Sequence, residues 1–184
     1  MKEYIRCFSC QALALNIEGK THAYMISSPG CWAMFCEVLG KEYSDYRYAR
    51  AHQYTVDAYA TQHPGSTEVQ SAVNSVGIHL SSLYMVLERG MRLSKANQFK
   101  QRLAQYNKQH PLIQPLSPPD SLGEITVCDI WSSNEKEKHF DLGEQWAVSA
   151  WRAWRAHHRT IEAWVTQFLR ANITHANYFN HDDH

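Results

Sequence analysis

Seven side chains of metal-binding type stand at spacings that could bring them together. Cys7, Cys10, His22 and Cys31 follow the pattern C-x2-C-x11-H-x8-C. A CxxC presents two thiolates from one tight knuckle. Three sulfurs and one imidazole then make the closed tetrahedral set that structural zinc takes. Metal binding would also supply folding energy to a lead with no apolar core of its own. Two other readings compete: a redox pair, and thiols buried as small hydrophobes. A thioredoxin-like pair sits between a strand and the helix it opens, and nothing after Cys10 reads as that helix. Cys31 stands at a helix start, where the dipole favours its thiolate. Cys36 and Cys128 read as core residues.

The other three are His52, His79 and His157, each on the apolar stripe of a different predicted helix. Three neutral imidazoles on one divalent ion leave a position open for water, the arrangement of catalytic zinc. His52 and His63 share a helix face but are about 16 Å apart along the axis, too far for one ion. Asp57 lies about 140° around the helix from His52, which disfavours direct ligation. Asp57, Tyr59 and His63 are therefore the candidate catalytic residues, as proton carriers or supports for the ligands. His63 has a second role open to it, since it could replace His22 beside Cys31. The plain alternative is a core histidine bonded to a carbonyl or hydroxyl, and Tyr54, Tyr59, Ser75 and Tyr84 could serve. His158 points away from His157 and reads as exposed or stacked on tryptophan.

These residues need helices to position them. Residues 1–30 form a non-helical, thiol-rich lead of two short extended pieces, with a turn at Glu18-Gly19-Lys20. Ser28-Pro29-Gly30 starts a helix over about 31–43, with Trp32, Phe35, Leu39 and Tyr43 on its apolar face. A second helix, about 46–63, ends at Pro64-Gly65. A third spans about 67–93, and a polar helical piece covers 94–109. Four of the six prolines fall in the loop 110–123. Thr126 caps a short helix, and a last helix covers about 141–171. Its stripe includes Trp146, Trp154, His157, Ile161, Trp164 and Phe168. The expected fold is mainly α, an antiparallel four-helix bundle in one domain, with the bundle at 31–173 and a frayed tail at 174–184.

Composition narrows the function classes. Eighteen Lys and Arg balance eighteen Asp and Glu across 184 residues, which disfavours a phosphate-driven nucleic-acid protein. The basic run Arg89, Arg92, Lys95, Lys100, Arg102 reads as a solvated helix face. No stretch reaches the length of a membrane span, and MKEYIRCFSC lacks a signal-peptide core. Five cysteines then suit a cytoplasmic chain with free or metal-bound thiols. There is no GxSxG, P-loop or dinucleotide fingerprint.

The segments SSPGCW, HQYTVDAYATQHPG, QSAVNSVGIHLSSLYMVLERG and WAVSAWRAWRAHHRTIEAWV resemble an uncharacterised bacterial domain-of-unknown-function family. The family's CxxC, SPGCW and HPG motifs correspond to Cys7, Cys10, Cys31 and His63-Pro64-Gly65. The resemblance implies no activity. A looser, fold-level likeness is to DinB-like metal-binding four-helix bundles, some of which act on small thiols through a histidine triad. This chain lacks their HxxxH pair on the last helix.

Two functions fit these residues. One is a metal-dependent hydrolase or thiol transferase, with zinc or another divalent metal on His52, His79 and His157. The other is a non-catalytic protein-interaction domain with a structural zinc at its N-terminus. Its contact aromatics would include Tyr46, Tyr48, Trp151 and Tyr178. Substrate, partner and oligomeric state are open.

Overall fold

The computed structural model describes residues 3–133 and 135–172. The predicted frayed tail and Tyr178 lie outside them. The fold is mainly helical, with one small antiparallel sheet. Strand β1 (Tyr4–Arg6) pairs with β2 (Leu13–Leu15) in the register Tyr4 to Leu15. The hairpin therefore turns at the CxxC, not at Glu18-Gly19-Lys20. Residues 21–27 are turns and coil, not the second extended piece expected there.

Eight helices follow among the described residues: α1 (Pro29–Ser44), α2 (Tyr46–Ala49), α3 (His52–Gln62), α4 (Gln70–Leu87), α5 (Leu93–Gln109), α6 (Val127–Trp131), α7 (Lys136–Ala153) and α8 (His158–Ala171). The second and last predicted helices are each divided. Asp45 caps α2 by accepting from the Arg47 amide, and its chain restarts at His52. Between α7 and α8 lies a 3-10 turn, Arg155–His157, with neither proline nor glycine in it. His158 stacks on Trp151 at 3.7 Å and donates from Nε2 to the Trp151 carbonyl, satisfying an acceptor near the break.

Helix α3 is the centre of the fold and packs against α7, α4, α5 and α1. It is buried from Tyr54 to Gln62 apart from half-buried Val56. A helix enclosed on every side is usually apolar. This one carries Thr55, Asp57, Thr61 and Gln62, and each is bonded. Thr61 donates to the Asp57 carbonyl at 2.8 Å. Gln62 donates to the carbonyls of Leu122 and Ile125 and accepts from Trp146 Nε1 at 2.8 Å. That last set pins the proline-rich loop to the core.

Two hydrophobic clusters fill the interior. One joins α4, α5 and α8 around Leu80, Phe99, Leu103, Trp154 and Phe168. The other joins the hairpin, α1, α3 and α7 around Cys31, Phe35, Tyr59 and Trp146. Helix α1 buries Phe35, Val38 and Glu42. The expected face is thus rotated, and Tyr43 is 76% exposed. Cys36 is exposed and Cys128 half-buried, so neither is core. Trp151 is buried and Tyr48 half-buried, which leaves Tyr46 as the exposed member of that aromatic set among the described residues.

Candidate metal centre

Three separate elements bring four ligand-type side chains to one point. The hairpin supplies Cys7 and Cys10. The Cys7 amide donates to the Ala12 carbonyl at 2.8 Å and closes the knuckle. Gln11 takes the left-handed conformation at φ 62° to complete it. Backbone contacts from Ser9 and Ala12 favour charge on the Cys7 and Cys10 sulfurs.

Helix α1 supplies Cys31 from its first turn. Ser28 caps that turn by accepting from the Cys31 amide at 3.3 Å. Gly30 lets the turn lie on the hairpin, because a Cβ there would stand 2.1 Å from the Leu15 carbonyl oxygen. The end of α3 supplies His63. Pro64 stops the helix there, and a Cβ on Gly65 would meet the Tyr24 carbonyl at 2.2 Å. The glycines of SPGCW and HPG are therefore steric requirements of the same centre.

His63 is held as one tautomer. Its Nδ1 donates to the Tyr59 carbonyl at 2.7 Å, which leaves the Nε2 lone pair facing the sulfurs. Nε2 lies 3.4 Å from Cys31 Sγ and 3.6 Å from Cys7 Sγ. Cys10 Sγ and Cys31 Sγ are 3.8 Å apart, and all four ligand atoms fall within 4.8 Å of one another. The Tyr59 ring stacks on the imidazole at 3.8 Å. All four residues are buried, Cys10 the most open at 5%. They could hold a metal ion.

Crowding makes the thiols unequal. Bonds from Cys10 and Cys31 hold Cys7 far below the usual thiol range. Cys31 pulls Cys10 down, but Cys7 and burial outweigh it and push Cys10 up to about 12. Cys31 is pushed up by Cys10, Cys7 and burial. A bound cation would relieve the repulsion that keeps the second and third thiols protonated.

The remaining candidates are placed elsewhere. His22 is outside the converging set; its ring packs edge-on against Tyr24 and Trp32 at 4.3 and 5.3 Å. The corner expected of it is filled by His63. His52, His79 and His157 form no converging group among the described residues. His157 Nε2 bonds to the Ser117 carbonyl at 2.9 Å. His52 Nδ1 meets Glu42 at 2.8 Å, and His79 Nδ1 meets Asp57 at 2.7 Å. Lys100 bonds the same Asp57 oxygen and is buried, not part of a solvated basic face. Burial alone would raise the Asp57 carboxyl, but Lys100 and His79 outweigh it and hold it low.

Besides the burial of Lys100, two buried titratable residues, Glu42 and His139, escaped the sequence reading. Glu42 is 1% exposed, bonded to His52, to Thr55 and, at 3.0 Å, to His139, itself fully buried. The available signal was Glu42 at i+4 from Val38 and i+7 from Phe35, a carboxylate on a helix's buried face.

No curated protein and no solved structure matches the chain. A model described as a family of unknown function, DUF5946, matches residues 5–155, a span that takes in all four converging side chains, and the chain belongs to that family.

Proposed function

We propose that this is a metal-binding helical protein in which Cys7, Cys10, Cys31 and His63 hold one structural zinc ion. One observation carries the reading. With Zn–S of about 2.3 Å and Zn–N of about 2.0–2.1 Å, a zinc tetrahedron has S···S edges of about 3.8 Å and S···N edges of about 3.5 Å. The cluster has edges of 3.8, 3.6 and 3.4 Å. Four buried protein ligands leave no coordination position for water or substrate, as in structural sites. The ion ties the hairpin, α1 and the end of α3 together.

This supports the non-catalytic role for the cysteine-bound metal. Phe8 at the knuckle and Tyr46 on α2 are 65% and 80% exposed and offer aromatic contact to a protein partner. Hydrolysis or thiol transfer at this ion would need an open position. Three thiols free to take zinc suit a reducing, cytoplasmic setting.

Elemental mass spectrometry on untagged protein tests the proposal. One zinc per chain is expected, lost in Cys10→Ser and in His63→Ala and kept in His22→Ala. A metal-free protein that also shows no thiolate charge-transfer bands with cobalt(II) would overturn it.

A further inference from the structure

A groove of about 580 Å³ runs between α3, α4 and α5 and is lined by Tyr43, His52, Val56, His79, Asn97 and Lys100, among others. Its volume is that of a small-molecule site. Two imidazoles stand in its wall, each backed by a buried carboxylate. They differ in one respect. His52 has both ring nitrogens engaged, Nδ1 by Glu42 and Nε2 by the Tyr43 hydroxyl at 3.3 Å. His79 has only Nδ1 engaged, by Asp57 at 2.7 Å. Its Nε2 has no partner among the described residues, and the side chain is 17% exposed.

We propose that His79 is a general base in this groove, and that the groove hydrolyses small carboxylic esters with water as the nucleophile. An Asp carboxylate accepting from Nδ1 fixes the tautomer whose Nε2 lone pair is free, the arrangement by which a carboxylate orients a catalytic imidazole. Among the described residues the groove lining contains no serine or cysteine, and the attacking group proposed is water. Val56 and Ile78 give the acyl chain an apolar wall. Asn97 and Gln101 line the same groove and add polar groups to it, while Lys100 is held on Asp57 behind His79. Burial lowers the proton affinity of His79 against the pull of Asp57, which favours the neutral ring.

The step balances without a redox partner. Nε2 takes a proton from water as the water oxygen bonds to the acyl carbon. The tetrahedral oxyanion then collapses, the bond from carbon to the leaving oxygen breaks, and the imidazolium returns its proton to that oxygen. The products are a carboxylic acid and an alcohol.

The probe is p-nitrophenyl acetate with the zinc-loaded full chain. Hydrolysis is expected to saturate with ester and to exceed that by equimolar imidazole. His79→Gln should lose on the order of 10²-fold in kcat, the usual scale of a general base. Asp57→Asn should lose about tenfold in kcat with KM little moved. His110→Gln, at an exposed helix end, should leave the rate unchanged. The charged groups that set the pH profile of His79 are Asp57, Lys100 and His22, with His52 on the same groove. Wild-type protein gives a test that needs no variant to fold. Diethyl pyrocarbonate should abolish hydrolysis at the rate at which His79 is modified, read by peptide mass mapping. A rate no better than imidazole, or hydrolysis that survives modification of His79, overturns the proposal. Zinc content measured on the same samples reports separately on the cysteine site.

Discussion

His63 donates from Nδ1 to the carbonyl of Tyr59, one turn back on the same helix, at 2.7 Å. That bond turns the other ring nitrogen toward Cys7 and Cys31. The Tyr59 ring stacks on the imidazole and keeps water from it. Tyr59 thus positions and shields His63, a different place from the one beside His52, His79 and His157 that the sequence suggested for it.

His63→Gln should therefore abolish stoichiometric zinc binding, because a side-chain amide is a poor zinc ligand. Tyr59→Phe keeps the ring and the backbone carbonyl and should keep the ion. Tyr59→Ala removes the stacking partner and should lower zinc affinity about 10- to 100-fold, the usual effect of losing a ligand's support. Competition with a chromophoric chelator measures all three.

Removing the metal should open the hairpin and spare the helices. The cluster around Leu80, Phe99 and Phe168 makes no use of the cysteines. The hairpin has six paired residues and an exposed face at Tyr4, Phe8 and Leu13, too little to persist alone. Hydrogen exchange after chelation should rise first at Cys7, Asn16 and the strand amides. Exchange within α4 should move little. Uniform loss of protection would show instead that the ion holds the whole fold.

Gly30→Ala should destabilise the protein by about 1–3 kcal/mol and weaken zinc binding with it, since the added methyl meets backbone that cannot rotate away. Gly40→Ala, on the same helix with open space around it, is the control and should be neutral or slightly stabilising. Thermal melts with and without zinc read both effects.

How far the sequence carried can be judged from these residues. The CxxC and the helix-start cysteine were legible because their spacing is local chemistry. The choice between His22 and His63 was not, because it depends on where α3 ends in space. The same gap explains the dispersed histidine triad. Helical spacing puts His52, His79 and His157 inward but does not fix which carboxylate or carbonyl each will meet. Buried Glu42, His139 and Lys100 were missed for a related reason: their burial rests on mutual pairing across helices far apart in sequence. Helix existence was legible from period and caps, as with Ser28 and Thr126. The breaks at 50–51 and 154–157 carry no proline or glycine to announce them.

Stability should fall in acid in two stages. Burial holds His79 below its ordinary 6.5, against the pull of Asp57. Below pH 6.5 the unfolded chain thus binds a proton that the folded chain resists, and stability drops as pH falls. Glu42 is raised by burial but lowered more by His139, His52 and Thr55, so it sits below its ordinary 4.5, and Asp57 sits below 3.8. The sign is the same: stability is full above those values and is lost as pH falls through the depressed ones. Urea midpoints from pH 8 to 3 should decline gently at first and steeply below about pH 4.5. Glu42→Gln should flatten the lower limb.

Gln62→Leu should cost about 1–3 kcal/mol, since it leaves buried Trp146 Nε1 without an acceptor and removes the donor to the half-buried Leu122 and Ile125 carbonyls. Limited proteolysis within 110–123 should quicken in the variant. An unchanged cleavage rate would mean that the loop is held by its own packing.

Helix α3 begins at His52 on the groove and ends one residue short of His63 at the sulfurs, packed along its length against α7, α4, α5 and α1. Such a segment has no slack. One inserted or deleted residue would turn one end against the other by about 100° and slide it by about 1.5 Å, and only the groove side at His52, Gln53 and Val56 is open. The eleven-residue span from His52 to Gln62 therefore works as a fixed gauge. Single exchanges of similar size can be accommodated along it, but a change in its length would uncouple the thiol end from the groove end at once.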